Sequence, residues 1–271
     1  MAFNASRAWG GKVDFSMIAL LVVGGFVLAM LVASELGRRF GIAQIARNPE
    51  GLAKGIGAAE AAVFGLLGLL LAFTFSGAAS RFEDRRHLIT AEANAIGTAY
   101  LRLDLLSPDA QPAMRDLFRR YLDGRLETYR NAQDLAATQA SFAEDVALQG
   151  QIWKRAVAES MKPGMPTQAA MLLLPALNEM IDITSTRLMV TRNHPPLVVF
   201  LMLAMLALVG ALLVGYGTSV NKQRTWLHTL VFAAILSLTT YVIIDLEFPR
   251  LGLIRIDEAD RILVDLREGM R

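Results

Sequence analysis

The sequence contains no cysteine, which excludes disulfides, thiolate nucleophiles and sulfur-ligated zinc. Its three histidines, His87, His194 and His228, are far apart and lack the H-x-x-x-H spacing that sets two imidazoles on one helix face. Neither a metal centre nor a cofactor is expected. Also missing are a Walker A loop, a G-x-G-x-x-G turn and a G-x-S-x-G nucleophile elbow. Gly210, Gly215 and Gly217 fall inside or at the end of an apolar run, where small residues serve helix packing. The chain is therefore not expected to be an enzyme. A formal charge of +2, with the cations dispersed, does not make the block that neutralises phosphates, so nucleic acid is not an expected partner. No strand pattern and no internal repeat stand out.

What the sequence does have is apolar surface: 54% of residues are hydrophobic and the mean hydropathy is +0.40, above ordinary soluble usage. Four stretches reach the roughly 20 uncharged or nearly uncharged residues that cross ~30 Å of hydrocarbon as helix. They are Phe15–Ser34, Ala61–Ser80, Pro195–Val220 and Trp226–Ile244. The first is too long for the h-region of a secretory signal, and Glu35 follows where small cleavage-site residues would be wanted. The expected fold class is all-α, a polytopic membrane protein with four transmembrane helices and a long helical region inserted between the second and third. The predicted organisation is a first helix pair over 1–80, a helical cytoplasmic region over 81–194, a second helix pair over 195–245 and a cytoplasmic tail over 246–271.

Within 81–194, Ser107-Pro108 ends the first helix. Met114, Leu117, Phe118, Tyr121, Leu122, Leu126 and Tyr129 then recur on one side of a helix entered near Pro112. Phe142, Val146, Trp153 and Val157 mark another helix, stopped by Lys162–Pro166. Leu177, Ile181, Thr184 and Leu188 mark a third, ended before Pro195-Pro196. An even number of spans puts both termini and the helical region on one side. The cations flanking that side (Arg7, Lys12, Arg81, Arg85, Arg86, Arg187, Arg192, Arg250, Arg255) outnumber those opposite (Arg38, Arg39, Arg47, Lys54, Lys222, Arg224). This predicts cytoplasmic termini and an integral, multi-pass membrane protein.

The stretch "LAFTFSGAASRFEDRRHLITAEANAIG" passes from uncharged to charged without a helix breaker. Phe75, Phe82, Ile89, Ile96 and Leu103 are spaced by seven, a repeat that holds one stripe on one side of a helix. One rod from about Ala58 to Leu106 is predicted, with its stripe against identical copies. A new helix capped by Ser80 and Glu83 is the alternative. Ala61, Gly65, Gly68 and Ala72 are small enough to admit a neighbouring helix, and Gly97, in mid-helix, marks another close approach. Asn94 is read as an interior hydrogen-bonding residue in preference to a pore-lining one.

"GLLGLLLAFTFSGAASRF", "AEANAIGTAYLRLDLL" and "DLEFPRLGLIRID" resemble the bacterial bestrophin-like membrane family. The resemblance implies a relation to bestrophin channels, pentamers whose second spanning helix surrounds a central pore and continues into a helical cytosolic region. It implies lipid, inorganic ions and further copies of the chain, as a homo-oligomer and by analogy a pentamer, as partners. The acidic calcium-binding run of animal bestrophins has no counterpart here. The tail holds only Asp245, Glu247, Asp257, Glu258 and Asp260, interrupted by Pro249 and Arg250.

Around an axis of such helices, Leu69, Phe73 and Phe75 are candidates for a constriction that gates by dewetting, with Leu69 and Phe73, or Phe75 and Phe82, as the stacked pair. Glu60, Arg81, Glu83 and Asp84 are candidates for charge at the pore mouths, Glu60 also being favoured in the first turn by the helix dipole. No ionisable side chain lies at the middle of a span, which argues against a proton-coupled carrier. A passive ion channel lined by the second spanning helix is the expected function. The alternative is a membrane-anchored helical scaffold or interaction protein without transport activity.

Overall fold

In the computed structural model, residues 15–47, 56–130, 135–220 and 226–270 are described. Eight α-helices make up nearly all of them: α1 (Phe15–Arg47), α2 (Ile56–Leu101), α3 (Gln111–Arg130), α4 (Leu135–Ser160), α5 (Thr167–Arg192), α6 (Leu197–Gly217), α7 (Trp226–Glu247) and α8 (Arg261–Gly269). No strand occurs among the described residues. Four segments, Leu20–Arg47, Glu60–Leu105, Thr167–Val220 and Trp226–Glu247, are long and apolar enough to cross a membrane. Of the residues in the charge comparison, Arg7, Lys12, Lys54, Lys222 and Arg224 lie outside the described ones.

The helix α2 is 46 residues long, about 70 Å at 1.5 Å per residue, more than twice the ~30 Å of a bilayer's hydrocarbon. It runs without interruption through Ser80, followed by a 3-10 turn over Arg102–Leu105. The predicted single rod is thus present, and Ser80 caps no new helix. Similarly, α1 remains helical past Ser34 to Arg47, where Arg39 donates to Glu35 at 3.0 Å one turn back. Proline and glycine end the other elements where the sequence places them: α4 stops before Lys162–Pro166 and α5 before Pro195.

The chain divides into two compact units, Met1–Ser80 with His194–Leu253, and Arg81–Asn193 with Ile254–Arg271. The first is built from α1, the first part of α2, α6 and α7. Its core holds Met30, Leu67, Leu203, Leu206, Ala207, Ala211, Ala233 and Leu236, with Phe64 and Phe232 packed edge to face at 5.7 Å. Glycine decides how α1 meets α6. A Cβ on Gly37 would lie 1.9 Å from the Leu212 carbonyl oxygen, and one on Gly215 would lie 1.8 Å from that of Ser34. A Cβ on Gly41 would meet the Ser219 side chain and lie 2.9 Å from the Tyr216 carbonyl oxygen. Ser34 and Gly37 on α1 and Leu212, Gly215 and Tyr216 on α6 bring two backbones to contact, the close packing that small residues permit where hydrophobicity gives no drive. Outward, Leu20, Leu21, Leu28, Leu201, Ile235 and Leu238 are exposed, as apolar solvent requires. Threonine hydroxyls in these helices donate back to carbonyls one turn earlier, Thr239 to Ile235 and Thr240 to Leu236 at 2.9 Å each, which satisfies these two within their own helix.

The second unit packs the remainder of α2 with α3, α4, α5 and α8. Ile89, Ile96, Leu103, Met114, Phe118, Tyr121, Leu122, Ile152, Leu173, Leu177 and Met180 are fully buried, each apolar one worth roughly 1.5–3 kcal/mol of burial. The lower part of the seven-residue stripe is therefore covered by the chain's own α3–α5. It is not left for identical copies, because the segment after the rod carries enough apolar surface to close over it. The short α8 joins this core through Leu263, and Met270 follows it in. It is fastened to α3 by two bonds from Arg267 to Asp123, 2.8 and 2.9 Å, and Leu266 rests 3.4 Å from where a Gly97 Cβ would be. Gly97 thus faces a neighbour, while Asn94 is exposed. That turn of α2 sends Ala93, Ala95 and Ile96 inward instead.

Candidate functional site: an uncovered face of α2 and a buried ionic hub

In its apolar part α2 has one side that nothing among the described residues covers. Leu69 is 53% exposed, Phe73 68% and Phe75 44%. Leu66, Leu69, Phe73 and Ser76 follow one another at three- and four-residue intervals, which keeps them on one face, and all four are exposed. Leu69 and Phe73 thus stack a turn apart on that face, whereas Phe75 lies to its side and Phe82 is half-buried. Gly65 and Gly68 have no atom within 4 Å of an added Cβ, and Ala61 and Ala72 are exposed.

The charged candidates separate. Glu83 and Asp84 are exposed, and Glu83 accepts from Arg86 at 3.0 Å and lies 3.4 Å from His87. Arg81 is half-buried. Glu60 is partly buried at the other end of the apolar stretch, its Oε1 2.9 Å from the place of a Gly217 Cβ.

The residues that the sequence did not bring forward lie in the second unit. Glu92 of α2 is buried and receives Arg125 Nε at 2.7 Å, the Tyr129 hydroxyl at 2.7 Å, and Arg187 Nη1. Arg187 also donates to the Tyr129 oxygen at 2.6 Å, and both guanidiniums lie over the Tyr129 ring, at 4.8 and 4.2 Å. Arg125 Nη1 reaches Asp145 Oδ2 at 3.3 Å, and Thr128 donates to the same oxygen at 3.1 Å. One helical turn away, Gln149 donates to Tyr121 and Thr184, each at 3.0 Å. Every long helix of the unit contributes a member. Burial pushes the Glu92 carboxyl up, but Arg125 and Arg187 overcome it and hold it below the usual range. Burial opposes the Arg125 charge, yet Tyr129 and Glu92 raise its pKa above the ordinary arginine value. Burial, then Glu92, keeps Tyr129 protonated well past its normal range.

The signal for this hub is present in the sequence but inverted. Glu92 falls between Ile89 and Ile96 on the buried stripe, and Arg125 lies four residues after Tyr121 and four before Tyr129. A charged residue inside an apolar periodicity is a buried ion with partners elsewhere. In α4, Asp145 and Gln149 take the inner side and Val146 is exposed, so Val146 does not belong to the packed run.

A third feature closes the first unit. At the end of α7, Asp245 and Glu247 are both buried. Asp245 Oδ1 accepts the Leu253 N–H at 3.0 Å, and a Cβ on Gly252 would lie 1.6 Å from that oxygen, so only glycine fits the turn. His194 Nδ1 lies 3.3 Å from Glu247 Oε2 and its ring stacks on Phe248 at 4.8 Å. The carboxylates in "DLEFPRLG" therefore hold a turn. No group of metal-ligating side chains is assembled among the described residues.

A family model described as the Bestrophin-like domain matches residues 18–260. A crystal structure of a bacterial bestrophin homolog from Klebsiella pneumoniae, carrying a tyrosine-to-alanine mutation, is similar in fold. The TM-score is 0.65 at 14% identity, over 89% of this chain and 99% of that one. No curated protein matches.

Proposed function

Because the chain belongs to the bestrophin-like family, we propose that it is an integral membrane protein that assembles with copies of itself, a pentamer in the expected arrangement, and conducts ions passively through a pore lined by α2. One observation carries this reading: Leu66, Leu69, Phe73 and Ser76 form an apolar-to-hydroxyl face on a membrane-length helix that none of the described residues covers. In an oligomer, rings of Leu69 and Phe73 make a constriction narrow and apolar enough to shed water. The open sides at Gly65 and Gly68 then admit the neighbouring copy's helix. Glu83 and Asp84 stand at one mouth and Glu60 near the other, where charge weights ion entry. The excess of arginine and lysine on the side of the helical region supports a cytoplasmic position for it and for both termini, in a bacterial inner membrane.

The test is ion flux from proteoliposomes, paired with the mass of the detergent-purified particle. Phe73→Ala opens the constriction and raises flux about tenfold, a change of ~1.4 kcal/mol in the barrier. Phe75→Trp, to the side of the face, changes it less. A monomeric particle with no flux under any imposed gradient overturns the proposal in favour of a membrane-anchored scaffold.

A further inference from the structure

The charges of the ionic hub are not evenly satisfied. Glu92 takes bonds from Arg125, Arg187 and Tyr129, while Asp145, fully buried on α4, is left with contacts of 3.3 Å to Arg125 and 3.1 Å to Thr128 through Oδ2 alone. Its Oδ1 has no hydrogen-bond partner. That oxygen points at the backbone of α3, 2.4 Å from where a Gly124 Cβ would be, so the missing side chain of Gly124 is the space it occupies. A buried carboxylate oxygen without a donor carries its full desolvation cost, and a proton on it removes the charge that incurs that cost.

We propose that Asp145 is a proton-binding site, and that proton uptake there under mildly acidic conditions changes how α4 is tied to α3. The groups that face it are Arg125, Thr128 and, through Arg125, Tyr129 and Tyr121 from α3, and Glu92 from α2. Arg187 of α5 reaches the cluster through Glu92 and Tyr129, and Gln149 lies one turn along α4. Ionised, Asp145 draws one arm of Arg125 away from Glu92. Protonated, it frees that guanidinium for Glu92 and Tyr129 and keeps only the hydroxyl of Thr128. Burial pushes the Asp145 carboxyl up to about 6, against Arg125 and Thr128, which favour its charge. A folded value above the unfolded one means that the folded state binds the proton more tightly. The stability gained is complete below the unfolded value and is lost as pH rises through about 6.

The proposal is tested on the full chain in detergent by infrared difference spectroscopy between about pH 5 and about pH 8. The wild type is expected to lose the carbonyl band of a buried carboxylic acid on the alkaline side, and Asp145→Asn to lack that band. Thr128→Val, which removes a hydrogen bond to the ionised form, is expected to tighten proton binding about threefold to tenfold. Its titration midpoint then moves up. Identical difference spectra for the wild type and Asp145→Asn, or a midpoint unmoved in Thr128→Val, overturn the assignment.

Discussion

The two units reach stability by opposite means. In α1 and α6 the contact surface is nearly featureless: serine and glycine, with two backbones within van der Waals reach. In α2–α5 the centre is ionic, two arginines and two carboxylates folded beside the ring of Tyr129. In the proposed arrangement, with the first unit in lipid and the second in water, the difference follows from the surroundings of each. Hydrocarbon outside a helix removes the hydrophobic incentive for helices to meet, so closeness has to come from the absence of side chains. Water outside a bundle supplies that incentive, and the interior then tolerates ions provided each finds its counter-ion and donors. In one unit glycine admits the contact; in the other a single arginine joins two carboxylates.

That contrast is broken most sharply at Arg125. Arg125→Met leaves Glu92 and Asp145 buried without their shared cation and should cost about 3–5 kcal/mol, seen as a large fall in the melting temperature of the purified protein or as failure to obtain it. The counterpart in the first unit is Gly215→Val, whose Cβ collides with the Ser34 carbonyl. Overpacking of this kind costs roughly 1–3 kcal/mol or more, read as loss of a single symmetric peak in size-exclusion chromatography in detergent. If Gly215→Val is harmless, the two helices do not meet backbone to backbone and the comparison fails on that side. Acidification sharpens the other side. Glu92 is held below its usual range, so its contribution is full above the unfolded value and disappears as pH falls through the folded one, whereas Asp145 works in the opposite sense. Thermal melts against pH should therefore show an acid limb due to Glu92 and, in the wild type but not in Asp145→Asn, a decline on passing upward through about 6. The smallest effect is expected at Gly97→Ala. Leu266 is at an ordinary 3.4 Å, and the gain in helix propensity, up to about 1 kcal/mol, should leave the melting temperature unchanged or raised.

Much of the architecture is legible in the residues. The four spanning segments, the rod through Ser80 and the breaks at Lys162–Pro166 and Pro195-Pro196 follow from hydropathy, period and breakers, all of which act locally along the chain. The site is less legible. Leu69 and Phe73 can be set on one face by counting, but their freedom from cover depends on where α1, α6 and α7 pack. Gly37 and Gly41, a G-x-x-x-G pair beside three charges, look like the end of a span until Leu212, Tyr216 and Ser219 lie against them. Glu92, Arg125 and Asp145 look like surface residues one at a time.

Sequence by itself determined which segments are helical, which can lie in lipid and which family the chain resembles, because backbone hydrogen bonding and transfer from water are properties of a segment taken alone. Only the tertiary structure decided that the stripe of Ile89, Ile96 and Leu103 is closed by its own chain, that α8 completes the core, and that four charged side chains share one buried site. A charge is tolerable in the interior only through partners that arrive from other helices, across separations of up to 95 residues, and no local pattern carries that information.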